Sequence, residues 1–476
     1  MDPWITAQLK AKGLLTEDLS DEEDEDEDES DDDDDEDSDD EDSNDEDSDD
    51  EDSDEDAPPR KAAAKKAVAK AAPKVKSDLG KREYKEKKQA EAVERRVLKR
   101  LARQAYTAAH IAHLGAGIFW RDDTRRPDAF DHPQRETRAQ ELKLELTDAK
   151  QLAGALGLTI PALRWLSFHR EVDTGTHYRS WQIPKRDGKS TRTISSPKKQ
   201  LKTAQRWLLR NVLEKLPVHG AAHGFLSARS IVTNAQVHAG AEVVIKVDIK
   251  DFFPSITWKR VKGLLRKHGL PEGVATLLSL LSTEAPRDVV QFRGKTLYVA
   301  KGPRALPQGA PTSPALTNAI CLRLDRRLSG LARSLGFRYT RYADDLTFSW
   351  HPEPVLPGTS PQPGTGALLR GIGQILEGEG FSLNQAKTRI MRDGTRQAIT
   401  GLIVNGAPGK ATARVPRETL RQLRAAIHNR EAGKPGRPGE GLEQLRGMAA
   451  FVHMTDAARG KALLARIDAL AARDKG

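Results

Sequence analysis

The chain has 476 residues, with 77 Lys and Arg against 70 Asp and Glu, for a formal net charge of +7. That sum joins two opposite blocks: residues 1–56 hold 33 acidic and 2 basic residues, net −31, while the other 420 residues hold 75 basic and 37 acidic, net +38. A single cysteine, Cys321, excludes a disulfide framework and a cysteine-built zinc site and fits a reducing, cytoplasmic setting. No apolar run reaches the roughly 20 residues that a membrane span needs, and the start of the chain lacks a basic-then-apolar signal, so neither membrane insertion nor export is expected.

Residues 17–56 carry 32 acidic residues and no Lys or Arg. Their like charges repel and they have almost nothing apolar to bury, so a disordered, solubilising tail is expected. The sharper alternative is a tethered polyanion that competes with nucleic acid for the basic block. Residues 57–88 are rich in Ala, Lys and Pro and read as a flexible basic arm suited to phosphate contacts. From about Arg82 to Leu114 the spacing of Val93, Val97, Leu98 and Leu101 predicts a helix.

Residues 147–168 read as a helical hairpin with Thr147 as its cap. Residues 178–195 alternate as a β-hairpin about Asp187-Gly188. The run Gly188-Lys189-Ser190-Thr191 imitates the end of a phosphate-binding loop, but Ile183 stands where that loop needs glycine. Residues 199–216 predict a helix, 242–249 a buried strand, and 258–283 and 312–335 further helices. Residues 337–350 form two short alternating runs about a tight turn, and 352–366 are a Pro/Gly loop. Two helical stretches, 416–430 and 440–471, flank a Gly/Pro linker at 433–439. Helices and strands mix without a βαβ repeat, which predicts an α+β fold. The basic block calls for a polyanionic partner, most simply nucleic acid.

Three motifs carry chemistry. Arg341-Tyr342-Ala343-Asp344-Asp345-Leu346-Thr347-Phe348 puts two carboxylates at a hairpin tip. Adjacent bare carboxylates repel unless a cation neutralises them, and hard oxygen donors suit Mg²⁺. Val247-Asp248-Ile249-Lys250-Asp251-Phe252-Phe253 ends an apolar strand on Asp248, with Asp251 where the chain turns away. If strand and hairpin pair, Asp248 and Asp344 face each other across a pair of metals, the arrangement in-line nucleotidyl transfer requires. Leu306-Pro307-Gln308-Gly309-Ala310-Pro311 leads a Gly/Pro loop into a helix, with Gln308 able to bond a base or sugar edge. His219 and His223 lack the glutamate of a zinc-protease pair, and no Gly-x-Ser-x-Gly elbow occurs.

In this order and spacing the three motifs resemble the palm of a reverse transcriptase. The resemblance implies a right-hand polymerase fold of fingers, palm and thumb behind a disordered acidic and basic extension. Composition and charge set off an acidic tail (1–57) and a basic arm and helix (58–116), which the resemblance does not reach, and the resemblance divides the rest into fingers and palm (117–404) and a helical, RNA-binding thumb (405–476). It makes Asp248, Asp344 and Asp345 the catalytic carboxylates, holding two Mg²⁺ ions. It places Phe252 where a ring rejects a ribose 2′-hydroxyl, so that dNTPs are favoured, and the backbone up to Asp251 beside the triphosphate. Gln308, and Lys185 and Arg192 in the fingers, become nucleotide contacts. Lys387, within Gly380-Phe381-Ser382-Leu383-Asn384-Gln385-Ala386-Lys387, becomes a candidate to neutralise or protonate the leaving group.

Asn234-Ala235-Gln236-Val237-His238 is similar to the Asn-Ala-x-x-His motif of bacterial retron reverse transcriptases, and Ile399-Thr400-Gly401 to their Val-Thr-Gly motif. That resemblance implies recognition of a cognate structured non-coding RNA, with Asn234, His238, Thr400, Gly401, Arg421 and Arg424 as RNA-binding candidates. It implies synthesis primed from the 2′-hydroxyl of an internal guanosine, branched multicopy single-stranded DNA as product, and a part in anti-phage defence beside an effector protein. About 70 residues follow Ile403; they leave no room for a fused RNase H, so a host RNase H is the expected partner for the RNA–DNA hybrid. The rival readings are a group II intron-like reverse transcriptase, which would carry a further maturase or endonuclease region, and a catalytically silent scaffold, which the three intact aspartates oppose.

Overall fold

A computed structural model describes residues 78–111, 113–115, 118, 146–184, 191–292, 294–351, 364–436 and 440–473. The acidic tract, the arm up to residue 77, the Asp187-Gly188 turn and residues 352–363 lie outside the described residues. The chain divides into two compact units, residues 1–106 and 107–476. The described part of the first is the body of helix α1 (Asp78–Ala109), which starts and stops a few residues before the expected bounds.

The second unit opens with the expected helical hairpin, α2 (Ala149–Leu156) and α3 (Ile160–Ser167). Its cap is Asp148 rather than Thr147: the Asp148 carboxylate accepts from Gln151 N, and the Gln151 side chain accepts from Thr147 N at 2.8 Å. The charged side chain suits the cap because its carboxylate accepts from an exposed helix amide and complements the positive end of the helix dipole. Next come β1 (Val172–Asp173), the antiparallel pair β2 (Tyr178–Pro184) and β3 (Thr191–Pro197), and α4 (Lys199–Asn211). A short helix α5 (Ile231–Gln236), capped by Ser230, precedes strand β4 (Val243–Lys250).

The stretch 258–283 is two helices, α6 (Trp258–Lys267) and α7 (Glu272–Ser282), parted where Gly269 takes φ +91 and Pro271 follows. The strands β5 (Arg287–Phe292) and β6 (Lys295–Ala300) form a hairpin to which the sequence reading assigned no element. Helices α8 (Ser313–Ile320) and α9 (Leu322–Ser334) divide at Cys321. Then follow the hairpin β7 (Phe337–Tyr342) and β8 (Asp345–Trp350), helix α10 (Thr365–Gly378), and the short strands β9 (Ser382–Leu383), β10 (Arg389–Arg392), β11 (Ala398–Ile399) and β12 (Leu402–Ile403). The chain closes with α11 (Arg417–Glu431), α12 (Leu442–His453) and α13 (Ala457–Arg473). The expected single run 440–471 breaks because Asp456 caps a new helix, its carboxylate accepting from Arg459 N.

The central antiparallel sheet runs β10–β4–β8–β7, with β9 also on β4. Strand β4 is β-branched and buried on both faces, which suits a middle strand. Its alternation serves two cores. Val243, Ile245, Val247 and Ile249 join the large core, whereas Val244 joins a second core with Ile399, Leu402, Val404, Leu423 and Ile467. The second core therefore begins before residue 405. By the same alternation Val244, Lys246 and Asp248 share one face. Register puts Ser349, Thr347 and Asp345 of β8 opposite them, and then Arg338, Thr340 and Tyr342 of β7. This face carries the site. Among the described residues, no helix is long and apolar enough to cross a membrane.

Candidate active site

The β4–β8 register pairs Asp248 with Asp345, and the β7–β8 register pairs Tyr342 with Asp345. Ala343 and Asp344 are therefore a two-residue turn, with Ala343 at φ +57. Ile249 N donates to Asp344 O at 3.1 Å, which stitches the turn to the end of β4. The three aspartates expected from the sequence thus lie together at one end of the sheet. A pocket lined by Lys246, Val247, Asp248, Asp345, Lys387 and Arg389 opens beside them.

Strand β4 has a split outer edge, pairing with β10 up to Lys246 and with β9 from Ile249. The chain bulges between those strands, and the bulge lands on Asp248. Lys387 Nζ donates to both Asp248 oxygens, at 3.1 and 3.0 Å, and Asn384 Nδ2 donates to Oδ2 at 3.0 Å. Lys387 is 62% exposed and Asp248 only 11%, so an exposed cation reaches in to a sheltered carboxylate. Asp345 turns to Lys246 at 3.7 Å. Burial, then the charges of Asp345 and Asp248, hold the Asp344 carboxyl above the usual carboxylate range against the opposing pull of Lys387 and its own backbone hydrogen bond.

Among the described residues, no three His, Cys, Asp or Glu side chains converge closely enough to hold a metal ion. Two of the carboxylates are instead met by cations of the chain itself, Asp248 by Lys387 and Asp345 by Lys246. The donor set itself is hard oxygen, and the raised Asp344 marks a cluster that a divalent cation would relieve.

The Ala343-Asp344 turn is braced from the opposite face of the sheet. Arg341, fully buried, makes a bidentate pair with buried Asp325 at 2.9 and 2.7 Å. Its Nη1 also donates to Asn318 Oδ1 at 3.0 Å and to Ala343 O at 3.3 Å, and Tyr339 donates its hydroxyl to Asp325. Asn318 lies on α8, downstream of the Gln308 loop, and its Nδ2 donates to Gly224 O at 3.0 Å. One side chain thereby joins the loop motif, the catalytic turn and the 224 segment. Asp325 and Asn384 went unassigned in the sequence because each lies far along the chain from the carboxylate or arginine it serves.

The expected nucleotide residues fall as follows. Asp251 is exposed at φ +46, where the chain turns off β4. Phe252 is 3% exposed, its ring held between Phe253 and Phe381 at 5.5 and 5.8 Å, so it is a fixed wall and not a free paddle. Gln308 O accepts from Ser195 N of β3 at 2.7 Å, which docks the β2–β3 pair on the Gln308 loop. Arg192 is exposed on β3, opposite Ile183. Lys185 lies outside the described residues.

The expected RNA-binding residues divide. Arg421 and Arg424 are exposed on α11. Thr400 and Gly401, at φ +46 and +88, form the two-residue turn of the β11–β12 hairpin, and Thr400 Oγ1 donates to Ile231 O at 3.3 Å. Asn234 and His238 depart from the expectation, for they are 1% and 0% exposed. His238 joins Ser349 Oγ at 2.6 Å and Thr340 Oγ1 at 2.7 Å, and Thr340 donates to Asn234 Oδ1 at 2.7 Å. These two side chains clamp α5 onto β7 and β8, on the face that carries Asp345. Burial pushes the His238 imidazole down to about 3, so it is neutral. Polar residues in a short motif look alike in sequence whether they face solvent or a partner strand.

A strand-end aspartate, a two-aspartate turn in register with it and a lysine on the strand-end aspartate are an arrangement that palm-type nucleotidyl transfer can use. Residues 183–419 match the family model for reverse transcriptase (RNA-dependent DNA polymerase). The retron Mx162 reverse transcriptase of Myxococcus xanthus is 64% identical over 397 residues, covering 83% of this chain and 81% of that protein. The retron Mx65 reverse transcriptase of Myxococcus xanthus is 42% identical over 317 residues, 67% of this chain and 70% of its own. The retron Ec86 reverse transcriptase of Escherichia coli is 30% identical over 326 residues, 68% and 90% respectively. The chain belongs to the retron reverse transcriptases. It is an RNA-directed DNA polymerase with a polymerase fold; enzymes of this kind act with a template RNA and generally use divalent metal ions.

Proposed function

We propose that this enzyme copies its own structured non-coding RNA into DNA, primed from the 2′-hydroxyl of an internal guanosine, and yields branched, RNA-linked single-stranded DNA. The observation that carries the reading is the register that sets Asp248 beside Asp345, with Asp344 in the adjoining turn. Asp248, Asp344 and Asp345 hold the ions. Two Mg²⁺, when bound, supply the Lewis acidity that activates a hydroxyl and steadies a leaving pyrophosphate.

The chain's own residues do the rest. The backbone near Asp251 lies along the triphosphate, and the fixed Phe252 ring leaves no room for a ribose 2′-hydroxyl. Gln308 meets the nucleotide edge, and Arg192 and Lys185 meet phosphate oxygens. Lys387 leaves Asp248 for the pyrophosphate oxygen and gives it a proton. Residues 117–404 act as fingers and palm and 405–476 as thumb, where Arg421, Arg424 and the Thr400-Gly401 turn face structured RNA. Asn234 and His238 act as internal support. A host RNase H trims the hybrid, an effector protein completes a cytoplasmic anti-phage unit, and the acidic tract keeps the basic body soluble.

The test is extension of a primer on an RNA template with dNTPs and Mg²⁺. Asp344→Asn should lower the rate at least about a thousandfold, as loss of a charge-stabilising group does, with RNA binding retained. An active Asp344→Asn enzyme would remove the assignment. Nucleic acid copurifying with the protein should contain a 2′–5′ branch.

A further inference from the structure

Phe225 is a large apolar side chain left 51% exposed next to the catalytic turn. Its backbone is in the left-handed region, φ +62, and Ala228 three residues on is at φ +60. A phenylalanine in that region is disfavoured and persists only where its surroundings hold it. Here they do. His223 N donates to Arg341 O at 2.8 Å, Arg341 N donates to Ala221 O at 2.8 Å, and Gly224 O accepts from Asn318. Gly224 is pressed so closely under the turn that a Cβ there would lie 2.8 Å from Ala343 N. The segment is bolted to the β7–β8 hairpin, and its exposed aromatic side chain, Phe225, lies beside Tyr342, ring centroids 6.5 Å apart.

Position across the sheet says what this ring meets. Residues 221–223 lie along the free edge of β7, so the order is 221–223, β7, β8, β4, β10. Lys387, Asp251 and Phe252, the groups proposed for the incoming nucleotide, all belong to the β4 side. Asp345 and Asp344 stand in the middle, and Tyr342 and Phe225 on the far side. In an in-line transfer the leaving group and the attacking hydroxyl lie on opposite sides of the reacting phosphorus. A triphosphate on the β4 side therefore puts the attacking strand on the β7 side, over Tyr342 and Phe225.

We propose that Phe225, backed by Tyr342, is a positioning platform for the terminal nucleotide of the priming strand. An exposed aromatic face accepts any base or sugar, which suits a primer end whose identity changes at every addition. The neighbouring Arg229, exposed on the same loop, supplies a cation for that strand's phosphate. The inference rests on the proposed polymerase reading and adds the residue that seats its primer.

The experiment uses the full chain, an RNA template and a DNA primer carrying 2-aminopurine either at its 3′ end or at the opposing template position. Phe225→Ala should raise KM for primer–template about tenfold, the loss expected for one aromatic contact, and leave KM for dNTP unchanged. It should abolish the binding-dependent fluorescence change of the primer label only. Phe225→Tyr should restore both. Phe225→Gly, which relieves the backbone and removes the ring, should behave as Phe225→Ala does, which separates the ring from the strain. Unchanged KM for primer–template in an active Phe225→Ala enzyme, or a change confined to the template label, overturns the proposal. Failure of the wild-type chain to extend any primer would instead overturn the polymerase reading.

Discussion

Two polar clusters share one face of the central sheet and meet opposite fates. At the carboxylate end, Asp344 and Asp345 are half-buried and Asp248 is sheltered, and Lys387 and Lys246 meet the charges of Asp248 and Asp345, with Lys387 62% exposed. Toward the other end, Asn234, His238, Thr340 and Ser349 are sealed and joined by neutral hydrogen bonds, with the Asn234 Nδ2 left without a partner. The first cluster keeps unspent charge for something that arrives from outside. The second has spent its polarity on holding α5 against the strands that end in the active site. Motif residues at one end of the face are the ones proposed to do chemistry, and motif residues at the other end hold the strands that carry them.

The largest expected effect is therefore the loss of synthesis in Asp344→Asn, since it takes charge from the open cluster. It should leave the unfolding midpoint nearly unmoved or raised, because a buried carboxyl already held above its usual range loses an unfavourable charge. A strongly destabilised Asp344→Asn protein would mean that this cluster too is structural.

Next in size is Arg341→Met. Arg341 and Asp325 are both fully buried, so removing one leaves the other charge without its partner. Such changes cost about 3–5 kcal/mol, readable by urea unfolding. The double change Arg341→Met with Asp325→Leu should recover much of that loss. If the single change costs under about 1 kcal/mol, the pair is not the brace under the turn that its geometry indicates.

His238→Ala comes third. It leaves the Ser349 hydroxyl without its imidazole partner and takes one of the two bonds of Thr340, at a cost of about 1–3 kcal/mol. It should leave the salt dependence of RNA binding untouched, since no phosphate contact is lost. The same histidine sets a pH dependence. Folded, it is held at about 3, against 6.5 as its ordinary value. The unfolded chain therefore binds the extra proton between those limits. Its contribution is complete above about pH 6.5 and is lost as pH falls toward 3, at up to about 1.4 kcal/mol per pH unit. His169 and His223, lowered by burial to about 4, act with the same sign. Melting temperatures from pH 7.5 to 5 should fall for the wild type and fall less steeply for His238→Ala; equal slopes would place the buried proton elsewhere.

These contrasts mark what the sequence could convey. The central strand, the catalytic hairpin and the three aspartates were legible because alternation and motif spacing are local, and register follows once a strand meets a hairpin. The caps and helix breaks were less so: Asp148 displaced Thr147, and Asp456 opened a new helix inside one apolar run. Nothing local announced that Lys387 would reach Asp248 from 139 positions away, or that Asp325 would hold Arg341. Asn234 and His238 were legible as a motif but not as an interior one, because burial is decided by the strand that lies across them.

The smallest effect tests the exposed face of α11. Arg421 and Arg424 are exposed on α11 and have no ion-pair partner among the described residues, whereas Glu431 on the same helix is paired with Arg466 at 2.7 Å. If the two arginines meet RNA phosphates, each should carry about 0.7–0.9 of the slope of log affinity against log salt. Arg421→Gln with Arg424→Gln should then flatten that slope by roughly one to two and weaken binding most at low salt. Stability should shift by no more than about 0.5 kcal/mol, as for other solvated surface changes. The result stands against His238→Ala in both readouts: one variant loses slope and keeps its melting point, the other loses melting point and keeps its slope. Should the arginine variant keep the wild-type slope, α11 is a solvated face, and the RNA lies on another part of the basic body.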